Sequence, residues 1–574
     1  MTFAKNKSCM KQFTYTFALC FLLSLFSITT RSQSFSPPMQ IPPSLSANFG
    51  ELRNNHFHSG LDYRTQLKTN IPVYAIGDGY VSRINVSPGG FGLALYINHP
   101  SGQTSVYGHL NSFATKIADY IRAKQYEKES YRVDVSLKEG EIPVKKGDEI
   151  ARSGDSGSSG GPHLHFEIRD TRSEDPLDVL DFLGNSMTDT LKPEIRGIAF
   201  YPQEGKGVVN GGINPVRILI GNTKHHTPNK PEKPVTAWGR IGVGVKADDR
   251  MNGTTNTFGV KYIRLFVDDV RVFSSTMDRF SFDKSRQVNS FIDFEDWRLR
   301  KSFYMKSFVE PGNSLPIFET VNNGYIDINF ERDYKLRYVL EDQYGNQFSY
   351  SFVVKGVKQS VPLPVKCPNF MAWNISNNYY EPDFSLTIPT GNLFTDFCYK
   401  HQKTTSTRYF SDIHQVNNKP VPLIRGAQIR ILLKAGKKAD ISKLGIVEIT
   451  KTGKEEWVGG AFKTGGLEAT VSELGKRYAI GIDTVAPKIV PINPEKWVTN
   501  KRMAISVSDD KSGIAKMRGE IDGKFALFSN DVKSNIHYYT FDDERLVKNT
   551  PHKLVVTAVD QVGNRTEYRY EFVY

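Results

Sequence analysis

A mainly β fold, with an N-terminal antiparallel β-sheet domain followed by β-sandwich modules, is predicted by three features of this sequence. Glycine-centred turns recur at short intervals in the first third, aromatic residues reach 12% with 36 Phe and 27 Tyr, and alternating strand-like runs fill the remainder. Aromatic and β-branched side chains suit a half-buried pleated surface better than a long helix. At 574 residues the chain exceeds what one core supports, so several domains of about 100 to 200 residues are expected.

Residues 1–33 read as a signal peptide. Lys5, Lys7 and Lys11 precede the apolar run Phe13 to Phe26, and small polar residues follow through Ser32 and Ser34. A membrane span needs about 20 apolar residues, more than this run offers; an uncleaved anchor is the alternative. No later segment is long and apolar enough to cross a bilayer. Cys9 and Cys20 lie in this segment, which leaves Cys367 and Cys398. In an exported chain these two would close a loop of about thirty residues as a disulfide. The formal charge is +13, and it stays strongly positive when Lys5, Lys7, Lys11 and Arg31 are set aside. Such a surplus favours a polyanionic partner, although no nucleic-acid-binding motif is present.

Residues 34–46, with the Pro-rich stretch Ser36 to Pro43, read as an extended linker. Residues 47–186 form the first domain, with turn signals at Gly77-Asp78-Gly79, Pro88-Gly89-Gly90, Gly147-Asp148 and Gly157 to Pro162. Within it, Ala114 to Glu129 carries Ile117, Tyr120, Ile121 and Lys124 at helical spacing, which predicts a helix inserted among strands. Behind lie an internal repeat and a spacer. Val245–Asp249, Phe266–Phe273 and Glu341–Asn346 recur in the same order as Val507–Asp510, Glu520–Phe528 and Val559–Asn564. Residues 191–357 and 484–574 are therefore read as two diverged β-sandwich modules that resemble immunoglobulin-like domains, separated by a β-rich module at 361–483.

Histidine is concentrated in the first domain. His56, His58, His99, His109, His163 and His165 are half of the chain's 12 histidines. Residues two apart on a strand share a face, so His163 and His165 project together while Leu164 and Phe166 point to the other side. His58 and Asp62 would stand about 13 Å apart on a straight strand, too far to share an ion, so a helical turn or a bend must intervene. Ser59-Gly60 favours the bend. Two imidazoles and a carboxylate suit zinc with one position left for water, and no thiolate is near to make a structural site. Paired carboxylates flanking a groove, the requirement of a glycosidase, are not indicated.

Taken together, HFHSGLD, IPVYAIGDGYV, GGFGLALYINHPSG, TSVYGHL, VKKGDEIARSGDSG and SSGGPHLHFEIR resemble the lysostaphin-like, or LytM-type, zinc metalloendopeptidases of bacterial cell walls, across residues 56–169. The resemblance implies that His58, Asp62 and His165 bind one Zn2+ while His109 and His163 are unligated catalytic residues. It also implies a secreted or periplasmic enzyme cutting peptide bonds of peptidoglycan. The alternatives are a catalytically silent wall-binding activator of another hydrolase and a secreted bacteriolysin. One departure is the long stretch between His109 and Lys145, whose helix is expected to border the groove. His56 is expected to pack or support rather than ligate.

Overall fold

The computed structural model describes residues 34–574 except 184–185, 222–228, 230, 232 and 365. The signal-peptide reading of residues 1–33 lies outside the described residues. Among the described residues no helix is long and apolar enough to cross a membrane.

Eleven strands make the first sheet. Its main path uses β1 (Leu45–Ala47), β2 (Leu61–Arg64), β3 (Gly79–Val86), β4 (Leu93–Asn98), β5 (Gln103–Phe113), β6 (Pro143–Val144) and β7 (His163–Asp170). Their spatial order is β1-β2-β7-β5-β4-β3-β6, and every neighbouring pair is antiparallel. Strand alternation sorts the side chains of β7 as the sequence predicts. Leu164, Phe166 and Ile168 enter the apolar core with Leu61, Tyr63 and Tyr107, whereas His163, His165 and Glu167 share the opposite face. Each fully buried Leu or Phe of that core contributes about 1.5–3 kcal/mol, so the apolar face anchors the polar one.

The inserted helix α1 spans Thr115–Glu127 and buries Ile117, Ile121 and Gln125. Its actual inner stripe thus runs through Gln125, whose Nε2 donates to Tyr131 O at 2.7 Å, while Lys124 pairs outward with Glu127. The helix does not line the groove described below, as the sequence had led us to expect. It faces the C-terminal strands instead, with Arg545 stacked over Tyr126 and Arg518 paired with Glu129. The Pro-rich entry is irregular but docked rather than free: Ser36 N donates to Ile76 O, Tyr74 N donates to Pro38 O, and Met39 is buried in the first core.

A ten-stranded sheet follows, from Glu194 to Gly356, antiparallel except where strand Val235–Asp248 meets Gln347–Gly356 in parallel. Next come eight strands dominated by the long pair Ile413–Leu432 and Gly466–Ile482. A three-stranded and a four-stranded sheet close the chain around a shared apolar core. The sequence repeat falls on matching elements. Val245–Asp249 and Val507–Asp510 each end a strand, Phe266–Phe273 and Glu520–Phe528 each contain a hairpin, and Glu341–Asn346 and Val559–Asn564 each turn between two long strands.

Cys367 and Cys398 are disulfide-bonded, with their Cα atoms 5.6 Å apart. A cross-link over this loop constrains the unfolded chain. Cys398→Ser is expected to lower the stability of the eight-stranded body by about 2–4 kcal/mol, and the same loss should follow reduction of the parent chain. Denaturant unfolding followed at Trp373 and Trp457 measures both.

Candidate metal centre and groove

The register of two strands creates the site. In the antiparallel pair β2–β7, His165 stands directly opposite Asp62, and Leu164 opposite Tyr63. Asp62 Oδ1 lies 2.9 Å from His165 Nδ1 and 3.1 Å from His58 Nε2, and the two ring nitrogens are 3.1 Å apart. Ligand atoms around a tetrahedral zinc stand about 3.3 Å from one another, so these three atoms already sit near the spacing such an ion imposes.

His58 reaches the site through a bend, as the Ser59-Gly60 pair predicts. It follows the short strand His56–Phe57, and the chain turns at Gly60 before β2 begins. A Cβ on Gly60 would meet Phe166 O at 2.2 Å, so only glycine lets the bend press against β7.

Each candidate ligand is aimed by a hydrogen bond from its other nitrogen. His58 Nδ1 donates to Asn48 O at 2.7 Å, leaving the Nε2 lone pair directed inward. His165 Nε2 donates to Glu167 Oε1 at 2.9 Å, leaving Nδ1 free for an ion. Glu167 is fully buried, accepts from Ser59 Oγ, and is paired with Arg169 Nε at 2.6 Å. Burial opposes its charge, but Arg169 and His165 outweigh it and hold the carboxyl at about 2. Sequence reasoning did not assign Glu167 a role. The signal was present in the same i, i+2, i+4 alternation that groups His163 with His165.

The other two histidines of the set come from separate strands, β5 and β7. His109 lies within β5, at a register shift where its backbone adopts φ +57°. That left-handed conformation aims its ring off the ladder. His109 Nδ1 donates to Ser156 O at 2.8 Å and His163 Nδ1 donates to Gly161 O at 2.8 Å, so both Nε2 atoms are free. The two rings are 4.8 Å apart, and His163 Nε2 is 3.5 Å from Asp62 Oδ1. Phe91, also unassigned by the sequence, stacks on His165 at 4.9 Å and accepts His109 N–H on its carbonyl at 2.8 Å. His56 is exposed, donates to Asn54 O, and stands apart from the three converging ligands.

Charge is strongly coupled here. Burial alone would raise Asp62, but His58, His163 and His165 hold its carboxyl well below the ordinary range. Burial would lower His165, yet its bonds to Asp62 and Glu167 push it up to about 9. Burial, reinforced by positive charge on His165 and His163, pushes His109 down to about 3, so its ring is neutral at physiological pH.

A groove of about 660 Å³ opens over these residues, lined also by Phe91, Arg53, Phe282 and Arg286. Phe282 and Arg286 belong to the second sheet's helical insertion, so the groove is not built by the first sheet alone. Around His109 the loops 88–92 and 155–159 interlock: Ser158 N donates to Gly90 O, and Leu93 N to Ser156 Oγ. The C-terminal body grips both, through Val532 N to Pro88 O and Gly157 N to Asp531 Oδ2, each at 2.9 Å.

Residues 56–126 match the model of peptidase family M23. The first sheet is an M23 peptidase domain. This bears out the lysostaphin-like resemblance read from the sequence. Residues 368–483 match a Zu5-like domain, within the segment read as the β-rich module. An uncharacterized metalloprotease of Haemophilus influenzae is 32% identical over 123 residues, 21% of this chain and 21% of that protein. The DD-carboxypeptidase/endopeptidase Mpg of Neisseria meningitidis is 31% identical over 112 residues, covering 20% of each. The chain thus spans about a fifth of the length of the curated relatives it matches. Among solved structures, a zinc-containing peptidase from Vibrio cholerae is similar over 26% of this chain and 39% of that chain, with 28% identity and a TM-score of 0.20.

In the M23 domain, Glu167 is a positioning residue for His165. Glu167→Gln is expected to weaken zinc binding by about 10- to 100-fold, read by competition with a chromophoric chelator. Melting of the metal-free variant, run alongside, separates this effect from the loss of the Arg169 pair.

Proposed function

We propose that this chain is an exported zinc metalloendopeptidase that hydrolyses peptide bonds of peptidoglycan crosslinks or stems. The observation that carries the reading is the complete set: His58, Asp62 and His165 converge within hydrogen-bonding distance of one another, and two further imidazoles, His109 and His163, line the groove beside them. The donor set fits zinc. Two imidazoles are fixed as lone-pair donors by Asn48 O and Glu167, and the ionised Asp62 supplies the compensating charge. When bound, zinc polarises a carbonyl and makes water acidic enough to serve as a nucleophile near neutral pH.

The chain's own groups supply the proton traffic. His109 is neutral with its Nδ1–H committed to Ser156, so its Nε2 lone pair accepts the proton of the attacking water. His109 then returns that proton to the leaving amine, while His163, held by Gly161 O with Nε2 facing Asp62, stands beside it to orient the reacting groups. Phe91 and Phe282 shield the groove, and Arg53 and Arg286 at its edge suit the carboxylates of stem peptides.

The substrate class is supported by relatives named DD-carboxypeptidase/endopeptidase in Neisseria meningitidis and peptidoglycan DD-endopeptidase in Vibrio cholerae. The net positive charge suits a polyanionic envelope, and the N-terminal signal-peptide pattern supports export to the periplasm, cell envelope or exterior. A silent wall-binding role is disfavoured by the full complement of candidate ligands. We also read 191–357 and 484–574 as immunoglobulin-like modules flanking the Zu5-like one, which hold the groove rather than act chemically.

Mass spectrometry of fragments released from defined peptidoglycan, with and without a chelator, tests bond, substrate and metal dependence together. Asp62→Ala and His165→Ala are expected to lose both hydrolysis and zinc, whereas His109→Ala loses about 10²- to 10⁴-fold in turnover and keeps its zinc. Full activity of Asp62→Ala would defeat the assignment. A second prediction follows from the proton on His165. Zinc must displace it, so affinity is expected to rise about tenfold per pH unit up to about pH 9, and acid should release the ion. Zinc competition titrations at several pH values, corrected for chelator protonation, check the slope and its sign.

A further inference from the structure

Two more groups of converging carboxylates lie outside the groove lining: Asp189, Asp249 and Asp342, and Asp483, Asp509 and Asp560. Within each group one oxygen from every residue lies within 4.8 Å of the others. They are copies of one arrangement. Asp249 and Asp509 each follow directly on a strand, and Asp342 and Asp560 each begin an Asp-Gln-x-Gly-Asn turn. Asn346 Nδ2 donates to Asp189 O at 3.1 Å, and Asn564 Nδ2 donates to Asp483 O at 3.2 Å. Asp189 and Asp483 each enter their copy from the segment before it, ahead of a threonine.

The first group has a second property. Asp189, Asp249 and Asp342 are each more than nine-tenths buried, and Asp249 Oδ1 is enclosed without any hydrogen-bond partner. No lysine or arginine pairs with any of the three among the described residues. Lys261 lines the same cavity, but its Nζ is committed to Asp178 at 2.8 Å and Asp181 at 2.9 Å. Burial, with the charges of Asp342 and Asp189 adding, pushes Asp249 up to about 8. Three ionised carboxylates facing one small space without a cation are strongly unfavourable, so the group must hold either a proton or a bound cation. In the second group Ser512 Oγ is likewise enclosed and unpartnered, while Ser512 N donates to Asp483 Oδ2.

We propose that Asp189, Asp249 and Asp342 hold a calcium ion at the seam between the M23 domain and the second sheet, and that Asp483, Asp509 and Asp560 form the duplicate site at the entrance to the C-terminal body. All donors are oxygens, which selects a hard cation and excludes a second zinc centre. The cavity at the first site is about 20 Å³, room for one ion and not for the retained waters that magnesium demands; calcium accepts an irregular shell of carboxylate and carbonyl oxygens. Asn48 lines the same cavity, bonded through its side chain to Gly259 N and Gly259 O, and its carbonyl is the group that orients His58. Calcium at this seam therefore stiffens the segment that aims a candidate zinc ligand, although the site stands without the catalytic reading.

The test uses the full chain, stripped with chelator, reloaded with one equivalent of zinc, and titrated with calcium chloride at constant ionic strength. Calorimetry is expected to show two calcium ions per chain with a rise in melting temperature, and magnesium chloride to bind much more weakly. Asp249→Asn should bind one calcium fewer and, in chelator, melt no lower than the parent, because it replaces a carboxyl whose ionisation is unfavourable there. Asp560→Asn should remove the other. A parent chain that binds no calcium, or an Asp249→Asn chain that binds it like the parent, overturns the proposal. One ion, lost in Asp249→Asn, upholds the first site and eliminates the copy.

Discussion

The cross-strand placement of Asp62 against His165 is the constraint on which the rest of the site depends. Strand side chains alternate, so slipping β2 against β7 by one residue would send Asp62 to the core side and bring an apolar neighbour to the imidazoles. What prevents the slip is on the opposite face, where Leu61, Tyr63, Leu164 and Phe166 are fully enclosed in the apolar core. Gly60 adds a second lock, because the approach of its α-carbon to Phe166 O admits no side chain. Apolar packing on one face thus sets the spacing of charged groups on the other.

The groove draws on more of the chain than the M23 domain. His109 takes its aim from Ser156 O, Ser156 sits in a loop interlocked with 88–92, and the C-terminal residues Asp531 to Lys533 hold both loops from outside. Arg286 donates to Leu423 O and Ser472 O of the Zu5-like region while lining the cavity. Loops on which reactive groups ride are ordinarily the softest parts of a sheet domain. Here remote modules hold them by hydrogen bonds and an ion pair, which gives the rest of the chain a role in the geometry of the groove.

The legible features were those governed by local periodicity. The face shared by His163 and His165, the bend at Ser59-Gly60, the helix near residue 120 and the repeat of strand, hairpin and turn all follow from one stretch of chain read at a time. One position of the inner stripe of α1 was misread, because Lys124 fits the helical period as well as Gln125 does, and the hydrogen bond from Gln125 to Tyr131 O decides between them. The placement of α1 away from the groove was not legible, since it depends on contacts with residues some four hundred positions later. The bulge at His109 was hidden too, because a register shift is a property of two strands and not of one. Glu167 was readable in principle: the alternation that paired the histidines extends one step further, to a charged residue that no isolated buried position would tolerate.

The same electrostatic rule separates the two kinds of carboxylate cluster in this chain. Asp62 is buried beside imidazoles, so positive charge can reach it from the protein itself and its carboxyl is held ionised. Asp249 is buried beside other carboxylates, and the ammonium that lines the same cavity, Lys261, is already shared between Asp178 and Asp181. Mixed nitrogen and oxygen donors with ring nitrogens to spare make a reactive centre, because an ion held by three ligands still has a corner for water and neighbours that move protons. An all-oxygen group enclosed by a seam has no open corner for substrate. Its only available work is mechanical, and its position against Asn48 directs that work at the backbone that aims His58.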